Sequence, residues 1–401
     1  MLVAAVWLGS AALLWRTNVP DDLALPHLHP GAFFGDAQRH RAEHYDEISR
    51  LLYLTALASQ LAVLVILALF ARRLARGFAL GEIGAGVMIA VAANLFVWAV
   101  ALPLNVVSLW WDRRYGLSKR AYWSFVAEQG GSLLVQTAVV ATVLAVIMLI
   151  ARTFKRRWWL VVAPLFVGVG GALVVLFAVV SQVGTHRIRD PEVRGAIRQL
   201  QQREGVPNAK IRVDDVSDNT TAVNAMTVGL GPTTVVILWN TLFRSNLSDR
   251  AIEFVTAHEL GHAARRHIWK GLGWGLLFSL PLTFVLAEAT RRRGGIDRAD
   301  VVPYALLVSS VLGLVSTPLQ NVVSRRYEAE ADWLALRATR DPTAGQEAFR
   351  SFTRIDLADP SPPLWSYLLL DTHPSVMQRL AMTKAWAARN PRAARPSPAG
   401  S

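Results

Sequence analysis

The chain has 401 residues, 53% hydrophobic and only 18% charged, with no cysteine and a formal net charge of +13. Soluble domains carry about 25% charged residues, so the composition argues against a purely soluble enzyme and excludes a disordered chain. The lack of cysteine removes disulfides, thiolate metal sites and cysteine nucleophiles, and leaves His, Asp and Glu to hold any metal.

Apolar runs near residues 1–15, 52–71, 83–111, 133–151, 158–183, 271–289 and 301–323 approach or exceed the roughly 20 residues of a bilayer-spanning helix. They predict about seven spans and a lipid bilayer as the surroundings. The first run is short and rich in small residues, so a signal peptide is the alternative, but it reads as a retained helix because no basic segment precedes it and no clear small-residue cleavage site follows it. Basic residues punctuate the spans in clusters: Arg72, Arg73 and Arg76; Arg113, Arg114, Lys119 and Arg120; Arg152, Lys155, Arg156 and Arg157; Arg291, Arg292 and Arg293. Such clusters anchor spans at headgroups, and that placement is the reading preferred over nucleic-acid binding. They stand on both sides of the predicted layout, so charge counting does not choose an orientation.

Residues 1–183 are thus predicted to form a transmembrane domain of about five spans. Residues 184–388 form a second domain interrupted by the last two spans, and residues 389–401, rich in Pro, Ala, Arg and Ser, a disordered tail. Within the second domain, Asp190-Pro191-Glu192 caps an amphipathic helix that runs to Gln202. Ala209 to Val216 and Ala225 to Trp239 read as strands, the second folded over a hairpin tip at Gly229, Gly231 and Pro232. Residues 324–388 read as helical.

The stretch richest in chemistry runs from Ser248 to His262. Ser248 and Asp249 are good helix caps, and the apolar Ile252, Phe254 and Val255 place the helix partly inside. His258 and His262 then lie one turn apart on one side, the spacing that lets two imidazoles bind one zinc ion. Glu259, beside the first of them, can reach a water at the metal but not easily the same coordination plane, so general base is its natural role. Gly261 leaves room for a close-packed strand or substrate. Two incidental histidines are the alternative, against which stand the three fixed positions of H-E-x-x-H. His267, five residues on, falls off the ligand face of a continuous helix and reads as a surface histidine or an outer partner of the site.

Two histidines leave a catalytic zinc one protein ligand short. The candidate is the stretch Ser324 to Asp332, directly after the last span. On a helix, Glu328 and Asp332 share a face while Glu330 points away. Glu328 as ligand and Asp332 as acceptor of a ligand histidine's N–H make a coherent set. A solvated acidic helix end, offset by Arg325 and Arg326, is the alternative reading.

Taken in order, these pieces resemble the type-1 CAAX prenyl protease family of integral-membrane zinc endopeptidases. The matching stretches are Leu102-Pro103, Tyr115-Gly116-Leu117-Ser118, Asn224-Ala225 leading to Gly229, and Ile237-Leu238 with Thr241-Leu242. His258-Glu259-Leu260-Gly261-His262, Ser324-Arg325-Arg326-Tyr327-Glu328 with Ala331-Asp332, and His373-Pro374 with Arg379 complete the series. The related HtpX-type membrane proteases share the zinc motifs with fewer spans. The resemblance implies a mostly α-helical polytopic fold, in which seven transmembrane helices enclose a chamber. A zincin-like metalloprotease domain with a small β-hairpin or sheet closes one end.

The resemblance also implies one zinc ion per chain, held by His258, His262 and Glu328, with Glu259 as base. It implies His373 as donor to the developing oxyanion, Arg379 as partner of site carboxylates, and Asn224 and Ala225 on an edge strand that holds the substrate backbone. A hydrogen-bond donor beside the zinc is what a tetrahedral intermediate needs. The chain departs from the family at Asp112 to Ser118 and at Gly184-Thr185-His186-Arg187, both around the chamber rather than the metal. The expected activity is hydrolysis of peptide or protein substrates that are membrane-associated or end in a CaaX-like sequence. Quality control of membrane proteins is the alternative, and an inactive seven-span receptor or transporter a remoter one. The Ala-, Arg- and Trp-rich usage suggests a bacterial cell membrane, and the family places the catalytic domain in the cytoplasm.

Overall fold

In a computed structural model that describes residues 2–391, helices dominate and a single small sheet accompanies them. Most of the predicted disordered tail, from residue 392 on, lies outside the described residues.

The N-terminal half is helical because its apolar runs are long and nearly free of charge. It consists of α1 (Leu2–Trp15), α2 (Asp36–Leu69), α3 (Ala71–Arg76), α4 (Gly81–Tyr115), α5 (Tyr122–Phe154) and α6 (Trp158–Val180). α4 ends at Gly116, whose φ of 81° turns its N–H onto the carbonyls of Asp112 and Arg113, a stop that glycine permits at little cost. α5 ends at Lys155, with φ 48°, and one tight turn over Lys155–Arg157 leads into α6. The two helices meet around Ala151, Trp158 and Val162.

Five stretches are long and apolar enough to cross a membrane: Asp36–Leu69, Gly81–Tyr115, Tyr122–Val180, His267–Arg291 and Ala299–Thr339. Tyr122–Val180 contains both α5 and α6, and the apolar helix Ala5–Trp15 is shorter than these. By this measure the seven predicted runs become five stretches, one of them broken in two, and a short helix. α2 also begins well before the apolar run at residue 52. Its polar first turns hold Arg50, which bonds Asp46 at 3.3 Å and, across the fold, Asp359 at 2.6 Å.

The C-terminal half starts with α7 (Pro191–Arg203), capped as expected by the Asp190 carboxylate on the N–H groups of Glu192 and Val193. Strands β1 (Lys210–Asp214), β2 (Ala225–Val228) and β3 (Val235–Trp239) follow, in the spatial order β1-β3-β2. β3 is parallel to β1 and antiparallel to β2, with Met226 opposite Ile237. Residues Val235 to Leu238 of the central strand are buried, while β2 is half-buried along its length and forms an edge. The β2–β3 connection requires glycine at Gly229. Its φ is 94°, and a Cβ there would sit 2.4 Å from the Thr233 carbonyl oxygen.

After α8 (Asn240–Arg244) come α9 (Asp249–Ala264), α10 (His267–Arg291) and α11 (Val302–Thr339). α12 (Pro342–Arg354), α13 (Leu364–Leu369) and α14 (Val376–Arg389) close the chain. The Ser248 hydroxyl caps α9 by accepting from the Ala251 N–H. Ile252, Phe254, Ala257 and Leu260 of α9 are buried in one core with Val236 and Leu238 of β3, Leu336 of α11, Phe349 of α12 and Leu380 of α14. α11 is continuous for 38 residues, so the last predicted span runs unbroken into the polar block. Gly261 faces that helix: a Cβ would meet Leu334 Cβ at 3.3 Å and Ala331 Cα at 3.5 Å. The room it leaves is taken by α11, which corrects the expectation of a strand or substrate there.

Candidate active site

α9 crosses α11 at the depth of His258, Glu259 and His262, and the two helices bring their polar faces together inside the core. His258 Nε2 and His262 Nε2 lie 3.1 Å apart. The Glu328 carboxylate of α11 stands opposite, with Oε2 3.3 Å from His258 Nε2 and Oε1 3.4 Å from His262 Nε2. One ligand atom from each of these three residues falls within 4.8 Å of the others, so the group could hold a metal ion.

Two observations test whether a cation fits. Glu328 Oε2 is buried with no hydrogen-bond partner among the described residues, a costly state for a carboxylate oxygen unless something else satisfies it. Burial by itself would lower the pKa of His258, yet Asp332 and Glu328 outweigh it and raise it from 6.5 to about 10. The pocket therefore favours positive charge between these side chains. Two imidazoles and a carboxylate form a donor set of the kind found in His₂Glu zinc enzymes.

The surrounding groups are tightly ordered. His258 Nδ1 donates to Asp332 Oδ1 at 2.8 Å, and Asp332 is fully buried. Arg379 of α14 donates from Nε to Asp332 Oδ2 at 2.9 Å, so its charge offsets that of the carboxylate. His373, on the loop before α14, places Nε2 3.2 Å from Glu328 Oε2 while 58% of its side chain stays exposed. The Glu259 side chain is buried beside β2. The Thr227 hydroxyl lies 2.8 Å from Glu259 Oε2 and 2.7 Å from the Glu259 carbonyl oxygen, and its one proton can go to either. A cavity of about 380 Å³ opens beside His373 and Arg379, and Asn224 lines it too.

The edge strand has a defined polarity. The Trp239 N–H donates to the Asn224 carbonyl at 3.0 Å. Pairing alternates along an antiparallel ladder, so the main-chain groups of Ala225 and Thr227 face the open side. The Ala225 N–H is taken by the side chain of Asn224, with Oδ1 at 2.8 Å.

All the residues singled out from the sequence thus lie on elements that meet here: His258, Glu259, His262, Glu328, Asp332, His373 and Arg379 around the candidate centre, Asn224 and Ala225 at the edge strand. Two others, Thr227 and Glu330, were not assigned to the site, and His267 was left between the surface and an outer partner of the site. Thr227 sits two residues after Ala225, and only the sheet's packing against α9 brings it to Glu259. Glu330 points away from Glu328, as its spacing predicts, but it is fully buried and pairs with His267. His267 itself lies against His262, not off to one side.

Comparison with known proteins gives two family matches that together span most of the chain. The model described as "Peptidase family M48" matches residues 187–387. The model described as "CAAX prenyl protease N-terminal, five membrane helices" matches residues 14–182. The uncharacterized metalloprotease YhfN of Bacillus subtilis is 25% identical over 300 residues, covering 72% of this chain and 70% of that one. CAAX prenyl protease 1 of Saccharomyces cerevisiae is 29% identical over 263 residues, 58% of this chain and 57% of that one. Bacterial proteins named Protease HtpX homolog match about half of this chain. Among solved structures, S. mikatae Ste24p superposes with a TM-score of 0.74 over 96% of each chain at 20% identity, a likeness of fold.

Proposed function

The chain belongs to peptidase family M48, as a membrane metallopeptidase related to CAAX prenyl proteases and HtpX-like proteases, and on that premise we propose that it is a zinc-dependent endopeptidase working from His258, Glu259, His262 and Glu328. The observation that carries this reading is the convergence of the His258 and His262 Nε2 atoms on the buried Glu328 carboxylate. Zinc held by His258, His262 and Glu328 would lend Lewis acidity, acidifying water and polarising the scissile carbonyl.

This chain's residues then divide the work. The Glu259 carboxylate takes a proton from the attacking water and delivers it to the departing amine. Its burial and the Thr227 hydroxyl keep it in one place. Asp332 accepts the Nδ1 proton of His258, which leaves the Nε2 lone pair for the metal. Arg379 keeps Asp332 charged and fixed. His373, exposed to the cavity side, donates to the carbonyl oxygen as negative charge builds on it. An extended substrate adds a strand to β2, pairing with the outward groups of Ala225 and Thr227. Asn224 would have to release the Ala225 N–H for that pairing.

The wider architecture belongs to the same reading. α1, α2, α4, α5, α6, α10 and the apolar part of α11 make seven spans around a chamber, closed at one end by a zincin-like domain. The boundary between the membrane domain and the metalloprotease domain falls near residue 183, and the latter runs to residue 388, interrupted by α10 and the apolar part of α11. The catalytic end faces the cytoplasm of a bacterial cell. Substrates are membrane-associated or carry CaaX-like C-termini.

Mass-spectrometric profiling of products from matched peptides, with and without a farnesyl group, tests the substrate. Cleavage near the C-terminus that depends on the lipid supports the CaaX-like assignment. Lipid-independent cleavage of unfolded membrane segments would move the protein to quality control. For His373→Ala, normal zinc content and a kcat lower by about 10²–10³ are expected, the usual cost of one oxyanion donor. An effect confined to KM in steady-state kinetics on a fluorogenic peptide would remove His373 from the chemical step.

A further inference from the structure

A second polar chain, separate from the one through Asp332, leads away from the other histidine of the centre. α9 ends at Ala264, Arg266 adopts a left-handed conformation with φ 54°, and α10 begins at His267. Left-handed backbone is uncommon for a residue with a side chain. Here it has a geometric result. On an unbroken helix, five residues amount to about 140° beyond a full turn, which would carry His267 away from His262. The break returns it instead, and His267 Nδ1 lies 2.9 Å from His262 Nδ1.

The rest of the chain is equally well placed. His267 is buried, and its Nε2 lies 2.9 Å from Glu330 Oε2. Its ring stacks on Tyr327 with centroids 4.7 Å apart and planes at 11°. Glu330 is fully buried and held by further donors: the Asn18 N–H at 2.8 Å, Arg265 Nε at 3.0 Å and Lys270 Nζ at 3.3 Å. The Tyr327 hydroxyl donates to the Leu14 carbonyl at 2.7 Å and accepts from Trp274 Nε1 at 2.9 Å.

With both rings neutral, proton placement along this chain has one solution. A carboxylate accepts only, so His267 must donate to Glu330 from Nε2. In the neutral ring, Nδ1 of His267 is then an acceptor. His262 must supply the proton between the two Nδ1 atoms, which leaves its Nε2 unprotonated. That is the nitrogen facing His258 Nε2 and Glu328.

We infer that His267 is a positioning residue for His262, holding its ring and tautomer for the metal, and that Glu330 sets the tautomer of His267. The inference rests on the zinc-peptidase reading. It gives His262 the orienting partner that Asp332 gives His258, reached through one more ring.

The test compares His267→Asn with His267→Gln in the full chain solubilised in detergent. A carboxamide oxygen of asparagine takes the place of Nδ1, so it keeps the bond to His262 and gives up Glu330. The amide of glutamine takes the place of Nε2, so it keeps Glu330 and gives up His262. Zinc affinity is read by competition with a chromophoric chelator. His267→Gln should bind zinc about 10–100-fold more weakly than the parent, the range found when an outer partner of a metal ligand is lost, and His267→Asn should lie closer to the parent. If His267 served only as a partner for the buried Glu330, the order would reverse. Equal affinities or the reversed order overturn the inference. His258→Ala is measured alongside: retention of zinc at parental affinity there would remove the metal site itself, whereas its loss with unchanged binding in both His267 variants would sink the positioning role alone.

Discussion

Glu259→Gln should keep a full complement of zinc and lose turnover by about 10²–10⁴, the range attributed to a general acid–base group. The amide is nearly isosteric with the carboxylate, and its oxygen can still accept from Thr227, so the buried side chain keeps its place. What it cannot do is take a proton from water. Glu259 sits next to His258 in sequence but is not part of the three-residue ligand group, so zinc content should be unaffected. Metal analysis and turnover of one fluorogenic peptide, on the same preparation, check both halves of this expectation. Turnover near the parental value would mean that another base operates. Loss of zinc would mean that Glu259 supports the metal rather than the proton transfer.

Glu328→Ala should lose zinc and, with it, all measurable hydrolysis. The reason is the poverty of alternatives in this chain. There is no thiol anywhere in it. Asp332, the nearest other acid on that face of α11, is committed to His258 Nδ1 and Arg379. His373 lies 3.2 Å from Glu328 Oε2 but is largely exposed, and an exposed imidazole on a loop is a poor replacement for a buried carboxylate. Removing a direct ligand should cost more than the ~10–100-fold seen when outer partners are lost. The variant would be dialysed against a weak chelator and its zinc counted. Stoichiometric zinc after dialysis would show that the third ligand has been misassigned.

The sequence by itself determined the features that depend on neighbours along one helix or one hairpin. His258 and His262, like Glu328 and Asp332, are four residues apart, and helical periodicity alone puts each pair on one face. Ser248 and Asp190 mark helix starts through a local bond from side chain to backbone. Gly229 marks a turn that residues with a side chain cannot make. The long apolar runs had to become helices, because a backbone in lipid must satisfy its own hydrogen bonds.

Tertiary structure decided the rest, because those contacts join residues far apart in sequence. α11 runs as one helix through the end of the apolar run, and it is packing against α9 that sets its polar part beside the two histidines. Gly261 receives Leu334 and Ala331 of that helix, a partner no spacing rule names. Thr227 reaches Glu259 only because β2 lies against α9. His267 depends on a left-handed turn at Arg266, where no glycine announces a break, and periodicity carried through that turn sends the side chain the wrong way. Glu330 gathers His267, Arg265, Lys270 and the Asn18 backbone from two stretches far from it in sequence. A carboxylate can be buried like that only when enough donors arrive together, and where chain segments cross is a property of the packed fold.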